Sequence, residues 1–353
     1  MFHKALWMRN YKQGKYLIWA FWIVTLFLLP LRYWDSANSV IQQMKWVKQH
    51  PSDGPFYYSH YFNAGDVTIF QIFVLIGLAC VLIGWERSNQ SIDLLFSMPF
   101  KRKDIFLSKW MLGVVHIVGA LSVSFLLMYI IKKTTIHNQY QDFTYYVQYF
   151  FYAYITLISI YTFALFVGTL AGSVFSQGAL SFIFLFLPIG LFMLGSFFVY
   201  VNFSIDEKTY YTWGNTIGKC FESLSIALPL TELGFGYSLH PDNDPKFWIH
   251  MPHWYDAVIS VIYTAVSLVL GIKLYERTPN EHNGKILLYE KLYKAFLVSV
   301  VVCFSLFGGM FLTQILSNEH SLVLYYIGVV IFGVLSYFIT KCLMNLRMAW
   351  GSK

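Results

Sequence analysis

The residues best equipped for chemistry lie in a loop, His240-Pro-Asp-Asn-Asp-Pro-Lys-Phe-Trp-Ile-His-Met-Pro-His253. His240, Asp242, Asp244, His250 and His253 are all metal-ligand types, and two histidines three positions apart can reach one ion. The spacing is otherwise irregular. Asp242-Asn243-Asp244 fails as a calcium loop, because Lys246 takes the third ligand position and glycine is missing at the sixth. The pattern therefore reads as a solvated loop, with no metal expected. Each Gly-Lys pair (Gly14-Lys15, Gly218-Lys219, Gly284-Lys285) lacks the upstream glycine and the following Ser/Thr of a phosphate-cradling Walker A loop. No nucleotide cofactor is expected in this chain. There is no Glu-Glu pair, HExxH or GxSxG to support hydrolytic chemistry. His116 is the one histidine or carboxylate placed inside an apolar run, while Asp66 and Asp256 fall at run ends, which argues against ion-coupled transport.

What remains is the polar stretch from Glu86 to Trp110, ERSNQSIDLLFSMPFKRKDIFLSKW, between two long apolar runs. Ile92, Leu95, Phe96 and Pro99 follow the i, i+3, i+4, i+7 spacing of one helical face, with Asp93 and Ser97 off that stripe. A short amphipathic helix held at a membrane surface is suited to meeting a soluble partner.

The elements that hold it follow from composition. The chain is 57% hydrophobic and 12% charged, with a mean hydropathy of +0.53, too little polar surface for a soluble domain. The fold class expected is all-α, a polytopic membrane helical bundle. Apolar runs of spanning length occupy Tyr16–Leu31, Val67–Trp85, Gly113–Ile131, Tyr146–Ala171, Ala179–Phe203, Asp256–Tyr275, Ala295–Leu316 and Ser321–Leu343. Residues 1–15 carry Lys4, Arg9, Lys12 and Lys15 among Phe2, Leu6, Trp7 and Met8, as in an amphipathic interfacial helix. A cleaved signal peptide is the alternative, but no A-x-A site follows the first run. Arg32–Asp66 reads as a polar loop. The segment 204–255 is the longest break in the pattern, and its apolar part, Leu224–Leu239, carries Glu232, Pro229, Gly234 and Gly236, suggesting a re-entrant region. The domain plan is thus 1–15, a six-span core over 16–275, and 276–353 with a connector and two further spans.

The formal net charge of +7 is explained by span orientation, so no nucleic-acid partner is implied. With an inner N-terminus, the inner side holds about twice as many lysines and arginines as the outer, and the acids distribute the other way. That places both termini and Glu86–Trp110 in the cytoplasm. Cys80, Cys220, Cys303 and Cys342 offer no external pair for a disulfide. Gly168 and Gly172 in GTLAG have the small-xxx-small spacing of close helix packing, and Pro188 is placed to kink the fifth span.

The central stretch resembles the coupling segment between the second and third spans of type-2 ABC transporter permeases. The likeness rests on Glu86-Arg87, Asp93-Leu94-Leu95-Phe96-Ser97-Met98-Pro99, Lys101-Arg102-Lys103 and Ser108-Lys109, with Ser91 where a glycine is common. It covers most of residues 1–275, and Ser173–Gln177 would be the second inner loop. The two last spans depart from the six-span plan. The overall flavour is similar to permeases of the acetoin-utilisation and lantibiotic-response groups.

The resemblance implies a cytoplasmic-membrane permease working with a second copy or a related permease, with export the expected direction. A separate ABC ATPase subunit would bind ATP and Mg and dock on the coupling helix. Ile92, Leu95, Phe96 and Met98 would be the apolar anchors, and Lys101–Lys103 would pair with acids or anionic lipid. Glu86, Arg87, Asp93, Pro99, Arg102 and Lys109 complete the implied coupling set. A membrane sensor or assembly factor with the same fold but no transport is the alternative function.

Overall fold

The computed structural model describes residues 3–53, 55–89, 91–203, 205–239, 246–278, 286–289, 291–316 and 321–345. In chain order the elements are α1 (Lys4–Leu26), α2 (Arg32–Gln49), β1 (Tyr58–Asn63), α3 (Gly65–Ala79), α4 (Trp85–Ser88), α5 (Ser91–Phe96), α6 (Arg102–Thr134), α7 (His137–Tyr140) and α8 (Thr144–Leu170). They continue as α9 (Val174–Asn202), α10 (Glu207–Trp213), α11 (Lys219–Leu224), α12 (Leu228–Thr231), β2 (Gly234–Leu239), β3 (Lys246–His250), α13 (Trp254–Glu276), α14 (Lys291–Leu316) and α15 (Leu322–Asn345). Eight helical stretches among the described residues are long and apolar enough to cross a membrane. The chain is an all-α polytopic bundle carrying one small sheet.

Two compact units are present: residues 1–78, 104–163 and 226–268, and residues 79–103, 164–225 and 269–353. In the first, α1 runs without a break through the segment read as a separate interfacial helix. Its buried residues Leu6, Asn10, Gly14, Ile18, Phe21 and Thr25 form one stripe. Pro30 has no N–H for the helical ladder, and the chain takes a π turn over Phe27–Leu31 before continuing as α2. The expected loop after Leu31 is therefore helical for 18 residues, and it buries Tyr33, Ala37 and Val40.

The same unit closes a three-stranded antiparallel sheet, in the order β1-β2-β3. Tyr58 pairs with Leu239 and Asn63 with Gly234, while Gly234 pairs with His250. The region read as re-entrant thus supplies two strands and the helices α10–α12 among its described residues. Against the sheet lies a hydrogen-bonded cluster of tyrosines and histidines. His60 Nε2 is 2.7 Å from the Tyr146 hydroxyl, His137 Nδ1 is 2.7 Å from that of Tyr58, and the Tyr33 hydroxyl donates to Gln141 Oε1 at 2.8 Å. The Tyr33 ring stacks on His137 at 4.4 Å. Desolvation pushes His60 down to about 3 and His137 to about 4, so both are neutral near pH 7.

In this unit His116 accepts a 3.4 Å hydrogen bond from the indole of Trp22 on α1, a helix-to-helix contact rather than a relay. Asn10 donates to Ser108 at 2.9 Å, and Gln71 to Thr25 at 3.1 Å.

In the second unit the last two spans, α14 and α15, form a close hairpin. A Cβ on Gly328 would run into the Gly308 carbonyl, so the backbones approach to a distance only glycine permits. The hairpin packs on α9 through Tyr325, Phe197 and Val201, and the Tyr326 hydroxyl donates to Asn202 Oδ1 at 2.6 Å. Pro188 lies within α9, which continues past it. The next N–H, that of Ile189, is taken by Ser225 Oγ at 3.0 Å, a side-chain partner beside the interrupted ladder.

Candidate coupling site

The second span ends in a π turn over Cys80–Gly84 that leads into α4. Gly84 is pressed onto the first turn of α9: a Cβ there would lie 2.8 Å from Val174 Cα and 2.7 Å from Gln177 Oε1. That contact brings Glu86, Arg87 and Ser88 inside, at 1%, 0% and 7% exposure. Arg87 donates to the carbonyl of Ala171 at 2.7 Å, to that of Thr169 at 3.5 Å and to Thr278 Oγ1 at 3.4 Å. The last carbonyls of a helix have no intrahelical donor, and a cation there also meets the negative end of the helix dipole. Arg87 thereby joins the end of α8 to the segment just past α13.

Ser88 completes the junction by accepting the Val174 N–H at 3.1 Å. Beside it, Ser173 and Ser176 form a reciprocal capping box at the start of α9. Gln177 turns back and donates to the Ala164 carbonyl at 3.0 Å, lying where a Cβ on Gly168 would be. Gly168 therefore makes room for a side chain of the adjoining turn. Gly172 donates its N–H to the Ile286 carbonyl at 3.4 Å, and Leu288 donates to the Leu170 carbonyl at 2.9 Å. Through these bonds, the short piece 286–289 of the connector is fastened to the α8–α9 turn.

Helix α5 follows, and its apolar stripe faces the protein. Ile92 and Leu95 are completely buried at 0% exposure. Phe96 is half-buried, edge-on to Tyr275 at 5.6 Å, with the Arg102 guanidinium 4.0 Å above its ring. Arg102 also donates to the Glu276 carbonyl at 3.1 Å and that of Thr278 at 3.4 Å, closing the last turn of α13. The outward surface is made by Leu94, 65% exposed, with Ser97, Pro99, Lys101 and Lys103, and Met98 is half-buried.

The profile of the ABC-2 family transporter proteins matches residues 15–278. The chain belongs to this family. The ABC-2 match takes in both the α4–α5 segment and the α8–α9 turn, and it ends at Thr278, the residue that Arg87 reaches. "Probable ABC transporter permease YtrC" of Bacillus subtilis (strain 168) is 24% identical over 237 residues, 66% of this chain and 67% of that protein. No solved structure matches the chain.

Set against the ABC-2 coupling pattern, the structure redistributes the residues expected to dock. Ile92 and Leu95, expected as apolar anchors for a partner, are buried within the chain at 0% exposure. Glu86 and Arg87 are internal, with Arg87 acting as a clamp. Lys109 belongs to the other unit and is also at 0% exposure, with its carbonyl accepting from Tyr161 at 2.7 Å. Met98, Pro99 and Arg102 keep places on or at the edge of the outward surface. The Asp93 side chain lies outside the described residues, as do His240, Asp242 and Asp244 of the loop weighed for metal. His250 of that loop lies 3.7 Å from Glu232, and no metal-binding group of three His, Cys, Asp or Glu occurs among the described residues. Ser88, Gln177 and Thr278 had no assigned role in the sequence, since each acts through a contact with residues far along the chain, and Leu94 was named only as part of the motif.

Proposed function

We propose that the chain is the permease subunit of an ATP-driven exporter in the bacterial cytoplasmic membrane, with both termini in the cytoplasm. A separate ABC ATPase docks on the outward face of α5 and binds the ATP and Mg, and a second copy or a related permease completes the pathway. The observation that carries this reading is the Arg87 clamp with its neighbours. It ties the segment after the second span to the ends of the fourth and sixth and the start of the fifth.

A surface helix so fastened transmits displacement instead of absorbing it. Leu94, Ser97, Met98 and Pro99 form the contact, Lys101 and Lys103 meet acids on the ATPase rim, and Ile92 and Leu95 carry the push inward. ATP shifts the transporter between states only as far as it favours one arrangement of the ATPase pair over the other. The permease supplies that linkage and no hydrolytic group of its own.

The test is co-expression with any ABC ATPase found encoded beside this gene, pull-down, and ATP-dependent flux in inverted vesicles. Capture with flux supports the exporter. Capture and ATP hydrolysis without flux in either direction favours a sensor or assembly factor of the same fold. Absence of capture removes the coupling reading.

A further inference from the structure

In the first unit, the start of α2, the start of α3 and strand β1 enclose a cavity of about 320 Å³, within the size range of small-molecule sites. Its wall is preorganised: His60 and Tyr146 are tied to each other at 2.7 Å, and Asn63 Oδ1 accepts the Gly65 N–H at 2.7 Å. At its edge are two opposite charges, Arg32 and Asp66, 3.2 Å apart with side chains 57% and 65% exposed. Tyr61 also borders it, with its ring turned onto Gly236 of the neighbouring strand.

We infer that this cavity binds a small zwitterion, with its anionic group on Arg32 and its ammonium on Asp66. The inference is independent of the coupling reading. An exposed ion pair is worth only ~0–1 kcal/mol, so parting Arg32 from Asp66 costs little. A zwitterion replaces that one contact with two charge-assisted ones, and the guanidinium fork suits a carboxylate or a phosphodiester. A lone anion would meet the Asp66 carboxylate, and a lone cation the Arg32 guanidinium. Arg32 follows the apolar run Tyr16–Leu31 and Asp66 precedes Val67–Trp85, which suits interfacial depth. The same chemistry is therefore available from a phosphoethanolamine lipid headgroup and from a soluble amino acid.

The experiment uses the full chain in nanodiscs of phosphatidylglycerol alone, titrated calorimetrically with glycine and with O-phosphoethanolamine. A parallel thermal melt compares these discs with discs containing phosphatidylethanolamine. Saturable binding of a soluble probe identifies a soluble ligand. A rise in melting temperature in the phosphatidylethanolamine discs alone identifies the headgroup. Either response should fall about tenfold or more in Arg32→Gln and in Asp66→Asn, corresponding to ~1.4 kcal/mol, and persist in Lys45→Gln. Both altered side chains are exposed, so the fold should survive, as far-UV circular dichroism will check. Absence of every response, or a response equal in wild type and both variants, overturns the site.

Discussion

The Arg87 guanidinium donates to the Ala171 carbonyl at 2.7 Å, across 84 residues of sequence and in full burial. The bond is charge-assisted and its acceptor is a backbone group, so a side-chain substitution at position 171 would leave it in place. Arg87→Lys keeps the charge but loses the planar fork that reaches Ala171 and Thr278 together. A stability loss of ~1–3 kcal/mol is expected, read as a lower melting temperature. ATPase stimulation should fall more steeply than stability.

Leu94 and Leu95 are neighbours with opposite surroundings, 65% and 0% exposed. Leu95→Ala should destabilise the chain by ~2–5 kcal/mol through the cavity it leaves. Leu94→Ala should change stability by less than ~0.5 kcal/mol. Thermal melts of the two variants check this directly, and equal effects would contradict the inward direction of the α5 stripe.

The hairpin of the last two spans gives a comparison of glycines. Gly328→Ala drives a methyl group into the Gly308 carbonyl, whereas Gly190→Ala meets nothing within 4 Å. Overpacking should cost the first variant ~1–3 kcal/mol, while the second should be neutral or slightly stabilised. Melting curves in one detergent separate them.

Acid should weaken the sheet-side cluster. His60 is lowered from 6.5 to about 3 and His137 to about 4, mainly because burial disfavours the charged ring. For a histidine held below its unfolded value, the unfolded chain binds more protons between the two values. The stabilisation is therefore complete above pH 6.5 and is lost as pH falls toward the folded values. The slope is ~1.4 kcal/mol per pH unit for each histidine. Melting temperature should fall between pH 7 and 5, and His60→Gln should flatten the fall.

The spans were legible because runs of apolar residues identify themselves. Helix α2 was not, since its polar residues resemble a loop; the clue was Tyr33, Ala37 and Val40 at i, i+4 and i+7. The sheet joins residues 58–63 to 234–239, and no local pattern announces a pairing at that distance. At the coupling segment, spacing revealed that Ile92, Leu95 and Phe96 share a face but not which way it points. An apolar stripe suits a partner's groove and the chain's own core equally well. Arg87 was singled out by type and position, but its principal acceptors are carbonyls, which side-chain identities do not mark.

The most direct test is ATP hydrolysis by the ABC ATPase proposed as partner, with wild-type chain or with Leu94→Asp in nanodiscs. Leu94 is preferable to Phe96, whose ring is engaged by Tyr275 and Arg102. Loss of permease-dependent stimulation by Leu94→Asp, with an unchanged melting temperature, is the predicted result. Full stimulation by that variant would contradict docking through the outward face of α5.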